Sequence, residues 1–498
     1  MYLCYLSSYE VSAVIIMKPR EGMQKMPDIR YVCLSDMHLG SDGSVLTYVD
    51  RNSMRTDPTQ RSPVLCQLVT CLRDLIAHNQ GKQKPTLILN GDILEMALAE
   101  TNEAAMVFER FIELIFPKDG EALFDKNILY IPGNHDHHIW ETGRETQYVN
   151  FICDISAGES LEVPWHITKM FSPDRVRGYF VTELIQRYPH LKDVVISIVY
   201  PNYALLSSNE QKCIIFSHGH YVEPLYSLMS TLDTMLFPNR QRPKDVSDLE
   251  VENFAWIDFF WSMMGRSGDV GVDIGLIYDK LHDKKQVEKL VGNLLLSLAE
   301  QCNLSEWIEE IGIKGLQWLL KLILGRINLL ERQRPGQALS ADAQRGLQWY
   351  LEGPLLEQIR TENKQNVPRD ITFIFGHTHK PFSQDMNFTG YPSLVKVYNS
   401  GGWTVDTVQP APIYGAAVIL IDEALQATSL YMYTHAESEG EYAVRVEESS
   451  HSRVTSNPFH DCISALVKPS SPPWKIFSET VAEAVRLRAH ILQTKINL

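Results

Sequence analysis

The chain predicts an α/β fold that carries a large helical insertion. Three observations lead to this class. Short apolar runs alternate with helix-length amphipathic stretches from Ile29 to about Phe216, helical periodicity alone fills Tyr221 to about Arg369, and strand-like runs return at Ile371. Alternating strands and helices indicate βαβ units, whose parallel strands gather ligands at their carboxyl ends.

The first part of the chain gives the clearest alternation. We predict strands at 30–35, 86–90, 127–132 and 213–216, a further strand-like stretch over 194–206, and helices at 63–78 and 103–116. The first helix places six apolar residues on one face: Val64, Leu65, Leu68, Leu72, Leu75 and Ile76. Residues 41–62 are polar and rich in Asp, Asn, Thr and Pro, which predicts a long loop.

The second part of the chain starts with helical patterns and ends with strands. Helices are predicted at 225–237, 254–264, 287–298, 307–330 and 345–359, and strands at 371–375, 394–399, 414–421 and 428–433. Residues 435–471 look irregular, and an amphipathic helix is predicted at 476–496. We interpret the helical stretch as a cap over a site on the core.

These patterns divide the chain into five segments. They are an N-terminal extension at 1–28, a core in two parts at 29–220 and 370–434, the helical cap at 221–369, and a C-terminal extension with a helix at 435–498.

Composition narrows the classes of partner. The 498 residues are 44% hydrophobic and carry a formal net charge of -15, which disfavours nucleic acid as a partner because such binding rests on clustered Lys and Arg. The eight cysteines form no Cys-x-x-Cys pair, and Cys33 and Cys213 lie inside apolar runs, which favours buried free thiols in a reducing compartment over disulfides or a zinc site.

Targeting signals are weak in this sequence. Residues 1–17 lack a basic start, and no run of about 18 uncharged apolar residues is present. We therefore expect a cytoplasmic protein, with peripheral membrane contact through the cap as the alternative.

Five polar stretches carry the chemistry, and each directly follows a strand-like run. They are Asp36-Met37-His38, Gly91-Asp92, Gly133-Asn134-His135-Asp136, Ser217-His218-Gly219-His220 and Gly376-His377-Thr378-His379. Taken singly, an Asp-x-His sequence is more often an exposed loop than a ligand pair. The repetition of one arrangement at five strand ends favours a shared site.

The side chains of these stretches suit divalent metal ions. Oxygen and imidazole donors without thiolates favour Mn²⁺, with Fe²⁺ and Zn²⁺ as alternatives. The candidate ligands are Asp36, His38, Asp92, Asn134, His218, His377 and His379. Two residues spaced i, i+2 on an extended segment point the same way, so each Asp-x-His or His-x-His pair can face one centre. Seven ligands suit two ions if one carboxylate bridges them.

The motifs and their order resemble the calcineurin-like metallophosphoesterase superfamily. That family's pattern is Asp-x-His, Gly-Asp, Gly-Asn-His-Asp, a later His and Gly-His-x-His, and all of these are present from Ile29 to about Trp403. The resemblance implies a four-layer α-β-β-α sandwich and hydrolysis of a phosphoester. It also implies a dinuclear centre whose two ions, roughly 3.5–4 Å apart, deprotonate a bridging water.

The resemblance also implies a role for each motif residue. One ion would be held by Asp36, His38, Asp92 and His379, and the other by Asp92, Asn134, His218 and His377. His135 would donate a hydrogen bond to the phosphate or protonate the leaving group, and Asp136 would orient His135 or a ligand. Both are candidate catalytic residues.

Four further residues have open interpretations. His220 lies two residues after His218 and is the alternative ligand or a substrate contact, while His137 is either a substrate contact or, like His138, a helix-start residue. Asn399 is a candidate substrate contact in the Tyr398-Asn399-Ser400-Gly401-Gly402-Trp403 stretch. Glu95 either holds a ligand imidazole or lies at a helix N-terminus, where the dipole favours it.

Two branches of the superfamily compete for the substrate. The ending from Gly376 to Trp403 and the position of the cap resemble the UDP-2,3-diacylglucosamine hydrolase branch, although the cap here is longer and His220 stands where that branch has Asp. This favours a lipid-linked or nucleotide pyrophosphate or phosphodiester. The alternative is a nuclease of the DNA-repair type, which shares Ser35-Asp36-Met37-His38-Leu39-Gly40.

The apolar and locally basic stretch Ile311–Leu330 of the cap has two interpretations. It either contacts lipid or packs against neighbouring cap helices. Phe254, Trp256 and the aromatic residues at 259–261 pose the same choice.

Overall fold

The computed structural model describes residues 26–237, 239–240, 242–262, 336–449 and 457–497. These residues form a mixed α/β fold with an eight-stranded sheet, a five-stranded sheet and a two-stranded ribbon. The predicted α/β class is therefore confirmed. The predicted helices at 287–298 and 307–330, the stretch Ile311–Leu330, and residues 1–25 of the N-terminal extension lie outside the described residues.

The strands are β1 Ile29–Leu34, β2 Val49–Asp50, β3 Arg55–Thr56, β4 Thr86–Asn90, β5 Asn127–Ile131, β6 Val176–Arg177, β7 Val195–Ile198, β8 Asn202–Leu206, β9 Lys212–Ser217, β10 Asp370–Phe375, β11 Phe382–Met386, β12 Val395–Asn399, β13 Gly415–Asp422, β14 Ala427–Thr434 and β15 Arg445–Glu447. The helices are α1 Pro63–Ile76, α2 Thr101–Ile115, α3 His137–Asp154, α4 Tyr179–Gln186, α5 Leu228–Leu236, α6 Val246–Ser262, α7 Ala341–Tyr350, α8 Leu356–Glu362, α9 Pro458–Leu466 and α10 Trp474–Asn497.

The eight-stranded sheet has the order β15-β14-β13-β1-β4-β5-β7-β6. Its centre, β1-β4-β5-β7, is parallel, and antiparallel strands close both sides. In the five-stranded sheet, of order β11-β12-β10-β9-β8, the central strands β12, β10 and β9 are parallel. Each sheet therefore has a parallel centre whose strand ends share one edge.

One apolar cluster contains residues of both sheets. Cys33 and Ile88 of the larger sheet belong to the same buried cluster as Ile214, Phe216 and Ile374 of the smaller sheet. Burying a large apolar side chain stabilises the fold by about 1.5–3 kcal/mol, so such a cluster is a main source of stability. The two parallel centres are thereby fixed relative to one another.

Helix α1 shows how local signals agree with packing. The Ser62 hydroxyl accepts from the amides of Val64 and Leu65, Pro63 takes the first helical position, and all six residues predicted for the apolar face are buried. Helix α1 packs against the C-terminal helix α10.

Helix α10 in turn reaches the loop that follows β1. The buried guanidinium of Arg488 donates to the carbonyl oxygens of Ser44 and Thr47, at 3.2 and 2.5 Å. Two polar loop carbonyls are thus satisfied by a residue near the other end of the chain.

Two local predictions need correction, and one helix was not predicted. The stretch 194–206 is two strands, β7 and β8, which lie in different sheets and are separated at Pro201, a residue that cannot donate a ladder hydrogen bond. Residues 435–471 contain β15 and helix α9 instead of being wholly irregular. The helix that was not predicted is α3, which shows no clear apolar periodicity because its buried residues lie in its first two turns.

The predicted cap region contains helices and no strand among its described residues, which are α5 to α8 with short helical turns. Its role as a cap, like the five segment boundaries, stays a prediction. The cysteines that the structure describes are free thiols, and Cys33, Cys71 and Cys213 are buried as predicted, whereas Cys153 is exposed, contrary to the prediction. Within the described part of the chain, no helix combines the length and apolarity needed to cross a bilayer.

Candidate metal centre

The five polar stretches meet at one edge of the two sheets. Asp36, Asp92 and Asn134 follow β1, β4 and β5, which are parallel neighbours, and His218 and His377 follow β9 and β10, which are also parallel neighbours. All seven candidate ligands are buried. The sheet topology therefore explains why residues hundreds of positions apart converge.

The turns that carry the candidate ligands are left-handed. Five of the ten non-glycine residues with positive φ in the described chain are candidate ligands: Asp36 at 50°, His38 at 44°, Asp92 at 51°, His377 at 67° and His379 at 55°. This backbone region costs L-residues free energy and clusters at functional sites. The expected extended geometry of the i, i+2 pairs was wrong, because tight turns aim these side chains.

Close packing at the turns explains one glycine of the motifs. A Cβ atom on Gly376 would collide with the carboxylate of Asp36, whose other oxygen accepts from the amide of His377 at 2.8 Å. Glycine at this position lets the β10 turn approach the β1 turn.

The first group of candidate ligands is Asp36, His38 and His379, whose ligand atoms lie within 4.8 Å of one another. His38 Nε2 lies 3.1 Å from His379 Nε2, which lies 3.5 Å from Asp36 Oδ1. Asp92 Oδ2 is 3.7 Å from His38 Nε2.

The second group is Asp92, His218 and His377. His218 Nε2 lies 3.3 Å from Asp92 Oδ2, 3.2 Å from His377 Nδ1 and 3.0 Å from Asn134 Oδ1. The structure thus brings His218 into this group, whereas His220 belongs to none of the candidate metal groups found in the described residues.

Asp92 joins the two groups through one oxygen atom. Its Oδ2 faces both His38 and His218, while its Oδ1 accepts from the amide of His135 at 2.8 Å. The backbone amide of His135 thus orients the Asp92 carboxylate, so that its Oδ2 faces both imidazoles.

Core residues hold the outer nitrogens of the first group. His38 Nδ1 bonds Glu95 Oε2 at 2.9 Å, and His379 Nδ1 lies 2.6 Å from Asp406 Oδ2 and 2.8 Å from Thr404 Oγ1. Carboxylates in this position fix the ring and leave the Nε2 lone pair facing inward.

The second group is held differently. His218 Nδ1 lies 3.4 Å from the carbonyl oxygen of Asn90, and His377 Nε2 lies 3.2 Å from Glu223 Oε1. Glu223 follows β9 and belongs to the predicted cap segment, so the predicted cap reaches one ring of this group.

The charges of the site favour cations. Burial opposes protonation of His218 and His379, yet nearby carboxylates, Asp92 for the first and Asp406 with Asp36 for the second, raise the pKa of each ring to about 9. Two imidazole nitrogens 3.1 Å apart, each with its other nitrogen on a carboxylate, repel unless a proton or metal cation lies between them. These buried His and Asp groups can therefore hold metal ions, and the donor set fits a hard or borderline divalent ion.

His135 lies beside the first group. Its Nδ1 bonds Glu95 Oε1 at 2.9 Å, its ring centroid is 4.8 Å from that of His38, and its buried Nε2 has no hydrogen-bond partner in the described structure. Glu95 holds two imidazoles at once, so its interpretation as an imidazole holder is confirmed. Helix α2 starts only at Thr101.

Asp136 does not orient His135 in the described structure, contrary to one sequence expectation. Its carboxylate instead accepts from the Tyr130 hydroxyl at 2.5 Å and from the amides of Gly133 and Ile93 at 2.6 and 2.7 Å. Burial and the charge of Asp92 raise the pKa of Asp136 to about 6. Asp136 thus ties the β4 turn to the β5 turn.

The three predicted substrate contacts have different surroundings. His137 starts α3 and bonds Asp258 of α6, and His220 is buried beside Tyr221. The side-chain NH₂ group of Asn399 donates to the carbonyl oxygen of Gly376 and to Thr378 Oγ1, and its side-chain oxygen accepts from the amide of Gly401. These bonds go to the β10 turn and to the loop that carries Asn399. The substrate contact of Asn399 stays a prediction.

Sequence reasoning missed three acids of the site: Glu223, Asp258 and Asp406. Asp258 carried a usable signal, since it is a lone acid in the apolar run Phe254-Ala255-Trp256-Ile257-Asp258-Phe259-Phe260, and buried charges need partners. Glu223 and Asp406 lie in polar segments whose partners only the fold reveals.

Comparison with known proteins finds no family model that matches the chain and no curated protein that matches it.

Proposed function

We propose that the chain is a metal-dependent phosphoester hydrolase with a dinuclear centre. One observation carries the proposal: Asp92 Oδ2 lies between two buried groups of His and Asp, as a carboxylate that bridges two cations would. Two divalent ions so bridged are the arrangement that in-line phosphoryl displacement uses.

The architecture supports membership of the calcineurin-like metallophosphoesterase superfamily and its four-layer sandwich. The motifs have the residues and the order of that family's pattern. The two sheets share one buried cluster, and helices such as α1 and α2 pack on the apolar core of the larger sheet. We propose that the predicted cap segment lies over the site, since Glu223 reaches His377.

The seven candidate ligands form two sets that share one residue. Asp36, His38 and His379 would hold one ion and Asn134, His218 and His377 the other, with Asp92 shared. The bound ions would activate water and offset charge on phosphoryl oxygens. We favour Mn²⁺, with Fe²⁺ and Zn²⁺ as alternatives that the same donors accept.

His135 is the proposed proton donor. Its Nδ1 is held by Glu95, so Nε2 is the atom that meets the substrate, and that atom is buried with no other bond within the described chain. It would donate to a phosphoryl oxygen or to the leaving oxygen. Asp136 acts through the backbone by holding the turns that bear Asp92 and His135.

The substrate is proposed as a lipid-linked or nucleotide phosphodiester or pyrophosphate, and the free thiols support a reducing, cytoplasmic setting. Purified full-length chain, stripped with chelator and reloaded with Mn²⁺, tests the proposal. We expect the rate of hydrolysis of an aryl phosphodiester to rise as Mn²⁺ is added and to reach a plateau at two ions per chain. Two bound ions without hydrolysis of any phosphoester offered would overturn the proposed activity.

A further inference from the structure

A cavity lies at the end of the five-stranded sheet that is opposite the candidate metal centre. Lys212 and Asp370 are the first residues of β9 and β10, whereas His218 and His377 follow the other ends of these strands. At about 3.3 Å per residue, each strand separates the two places by roughly 20 Å. The cavity has a volume of about 690 Å³, which is within the usual range for small-molecule sites.

The strand register places four charged residues of this cavity on one face of the sheet. Lys212 is the partner of Asp370, Thr372 is the partner of Lys396, and Lys396 is the partner of Asp385. Because residues two apart on a strand share a face, Asp370 and Thr372 connect the two pairs. Lys212, Asp370, Lys396 and Asp385 therefore lie side by side, and all four line the cavity.

This face is the one that packs against the larger sheet. Further along the same strands it carries Ile214, Ile374 and Tyr398, which belong to the buried cluster that contains residues of both sheets. Ala424, in the turn between β13 and β14 of the larger sheet, lines the other side of the cavity, and its carbonyl oxygen accepts from Lys212 Nζ at 3.1 Å. The apolar layer between the sheets thus ends in a charged opening.

Positive groups outnumber negative groups at this opening. Lys396 Nζ lies 2.8 Å from Asp370 Oδ1 and Lys212 Nζ lies 3.9 Å from Asp370 Oδ2, so two ammonium groups share one carboxylate. The exposed Arg369 lines the same cavity and adds a guanidinium. Cationic donors from three chain segments therefore surround one carboxylate, an arrangement that favours an added anion.

Burial lowers the pKa of Lys212, and the carboxylate of Asp370 opposes this shift. An anion beside the ammonium group would oppose it further, so anion binding and the charged form of Lys212 favour one another.

Asp385 offers a hydrogen-bond acceptor in the same cavity. Its Oδ1 is buried and has no hydrogen-bond partner among the described residues. An unpaired buried carboxylate oxygen costs free energy, which favours a ligand that brings an O–H or N–H donor. The cavity therefore suits a ligand that carries both an anionic group and a hydroxyl group.

We propose that this cavity binds a small phosphorylated polyol, with the phosphate on Lys212, Arg369 and Lys396 and a hydroxyl group donating to Asp385. A phosphate monoester carries about −1.5 to −2 charges at pH 7 and three acceptor oxygens, which match three cationic side chains. This site goes beyond the proposed function and requires no metal, because it lies at the other end of the strands.

Calorimetry of the full chain in excess chelator, titrated with ribose 5-phosphate, tests the site without binding at metal ions. Lys84 provides a matched control outside the cavity. Its Nζ lies 2.8 Å from Glu121 Oε2 and its side chain is 39% exposed, against 2.8 Å from Asp370 and 34% for Lys396. We expect Lys396→Met to weaken binding about 10- to 100-fold and Lys84→Met to change it less than about twofold.

The acceptor role of Asp385 has its own test. Ribose 5-phosphate should bind about tenfold more tightly than inorganic phosphate to the wild-type chain, and Asp385→Ala should remove that difference. A difference that persists in Asp385→Ala would overturn this role.

Lysine acetylation of the Mn²⁺-loaded full chain, measured by mass spectrometry, locates the bound ribose 5-phosphate. At about ten times the Kd it should slow acetylation of Lys212 and Lys396 about tenfold and leave Lys84 unchanged.

Unprotected Lys212 and Lys396, or equal losses of affinity in Lys396→Met and Lys84→Met, would overturn the site. If Lys396→Met does not fold, Arg369→Met, which changes an exposed side chain, replaces it with the same expectation. The calorimetry needs neither metal nor turnover, so its failure leaves the proposed hydrolase untouched, and a chain without phosphoesterase activity can still confirm the site.

Discussion

The two halves of the candidate metal centre are supported by different parts of the chain. In the half made by Asp36, His38 and His379, both imidazoles are backed by core carboxylates, Glu95 and Asp406. In the half made by Asp92, His218 and His377, one ring meets a backbone carbonyl and the other meets Glu223 of the predicted cap segment.

If the centre holds two ions as proposed, the predicted cap segment would control one of them without touching the other. The core alone can hold the first half, because the contacts that the described residues make to its rings come from strand-end turns and the loop after β12. The second half depends on the segment that leads into the helices. Changes in that segment should therefore act on one metal position and on substrate binding beside it.

Asp92→Asn should have the largest effect, because it removes the charge shared by both halves. We expect loss of both ions and a fall in phosphodiesterase activity of about 10³-fold or more. Metal analysis after desalting, together with turnover, checks this. A variant that keeps both ions and turns over like wild type would break the idea of a shared bridge.

His135→Ala tests whether this residue is a donor or a ligand. We expect turnover to fall by roughly 10²- to 10⁴-fold while metal content stays at the wild-type level, because His135 is proposed to move a proton and not to bind metal. Loss of a metal ion in this variant would instead assign His135 to the first half through Glu95.

Glu223→Gln should weaken metal binding in only one half of the candidate centre. A residue that supports a metal ligand changes metal affinity about 10- to 100-fold, so the variant should bind one Mn²⁺ as wild type does and the second more weakly. Asp406→Asn is the matched control, since it removes the support of His379 in the other half. Titration with Mn²⁺ in which both variants weaken the same step would contradict the comparison.

Glu250→Gln should have the smallest effect, on stability alone. Burial raises the pKa of Glu250 to about 8, against 4.5 in an exposed chain, although the hydroxyls of Tyr200 and Tyr221 oppose the shift. The neutral acid therefore stabilises the fold fully below pH 4.5, and this contribution is lost as the pH rises through 8.

In the Glu250→Gln variant that part of the pH dependence should disappear. The melting temperature of the metal-free chain would then change by a few degrees less between pH 5 and 8 than that of wild type. Identical pH profiles for the two proteins would show that Glu250 is already ionised where it contacts Tyr200.

Much of the core could be predicted from the sequence because its signals are local. The runs that became β1, β4, β5, β9 and β10 are short and apolar, and each is followed directly by polar residues, so both the strand and the position of its ligand could be predicted. The convergence of the candidate ligands within each sheet then follows from parallel pairing, and the shared apolar cluster brings the two sheets together. By contrast, the left-handed conformations of Asp36 and His377 depend on neighbouring turns and leave no mark in the composition.

The supports of the site were harder to predict because they depend on distant contacts. Glu223 lies 154 residues before His377 in the chain, and Asp258 lies 121 residues after His137, so no spacing rule connects either pair. The expectation that Asp136 orients the His135 ring was wrong for a related reason. Its neighbour in sequence is His135, but in space its carboxylate faces backbone amides of the β4 turn.

The contact of Arg488 with the loop after β1 has a consequence for biosynthesis. Arg488 and Ser44 are separated by 444 positions, so the loop beside the first motif can be clamped only after all the residues between them have been translated. His377 lies 341 positions after Asp36, so a nascent polypeptide would hold at most five of the seven candidate ligands until His377 and His379 are made. Loading with metal is therefore expected only after the last motif has been translated, when cellular ion supply would set which cation is taken up.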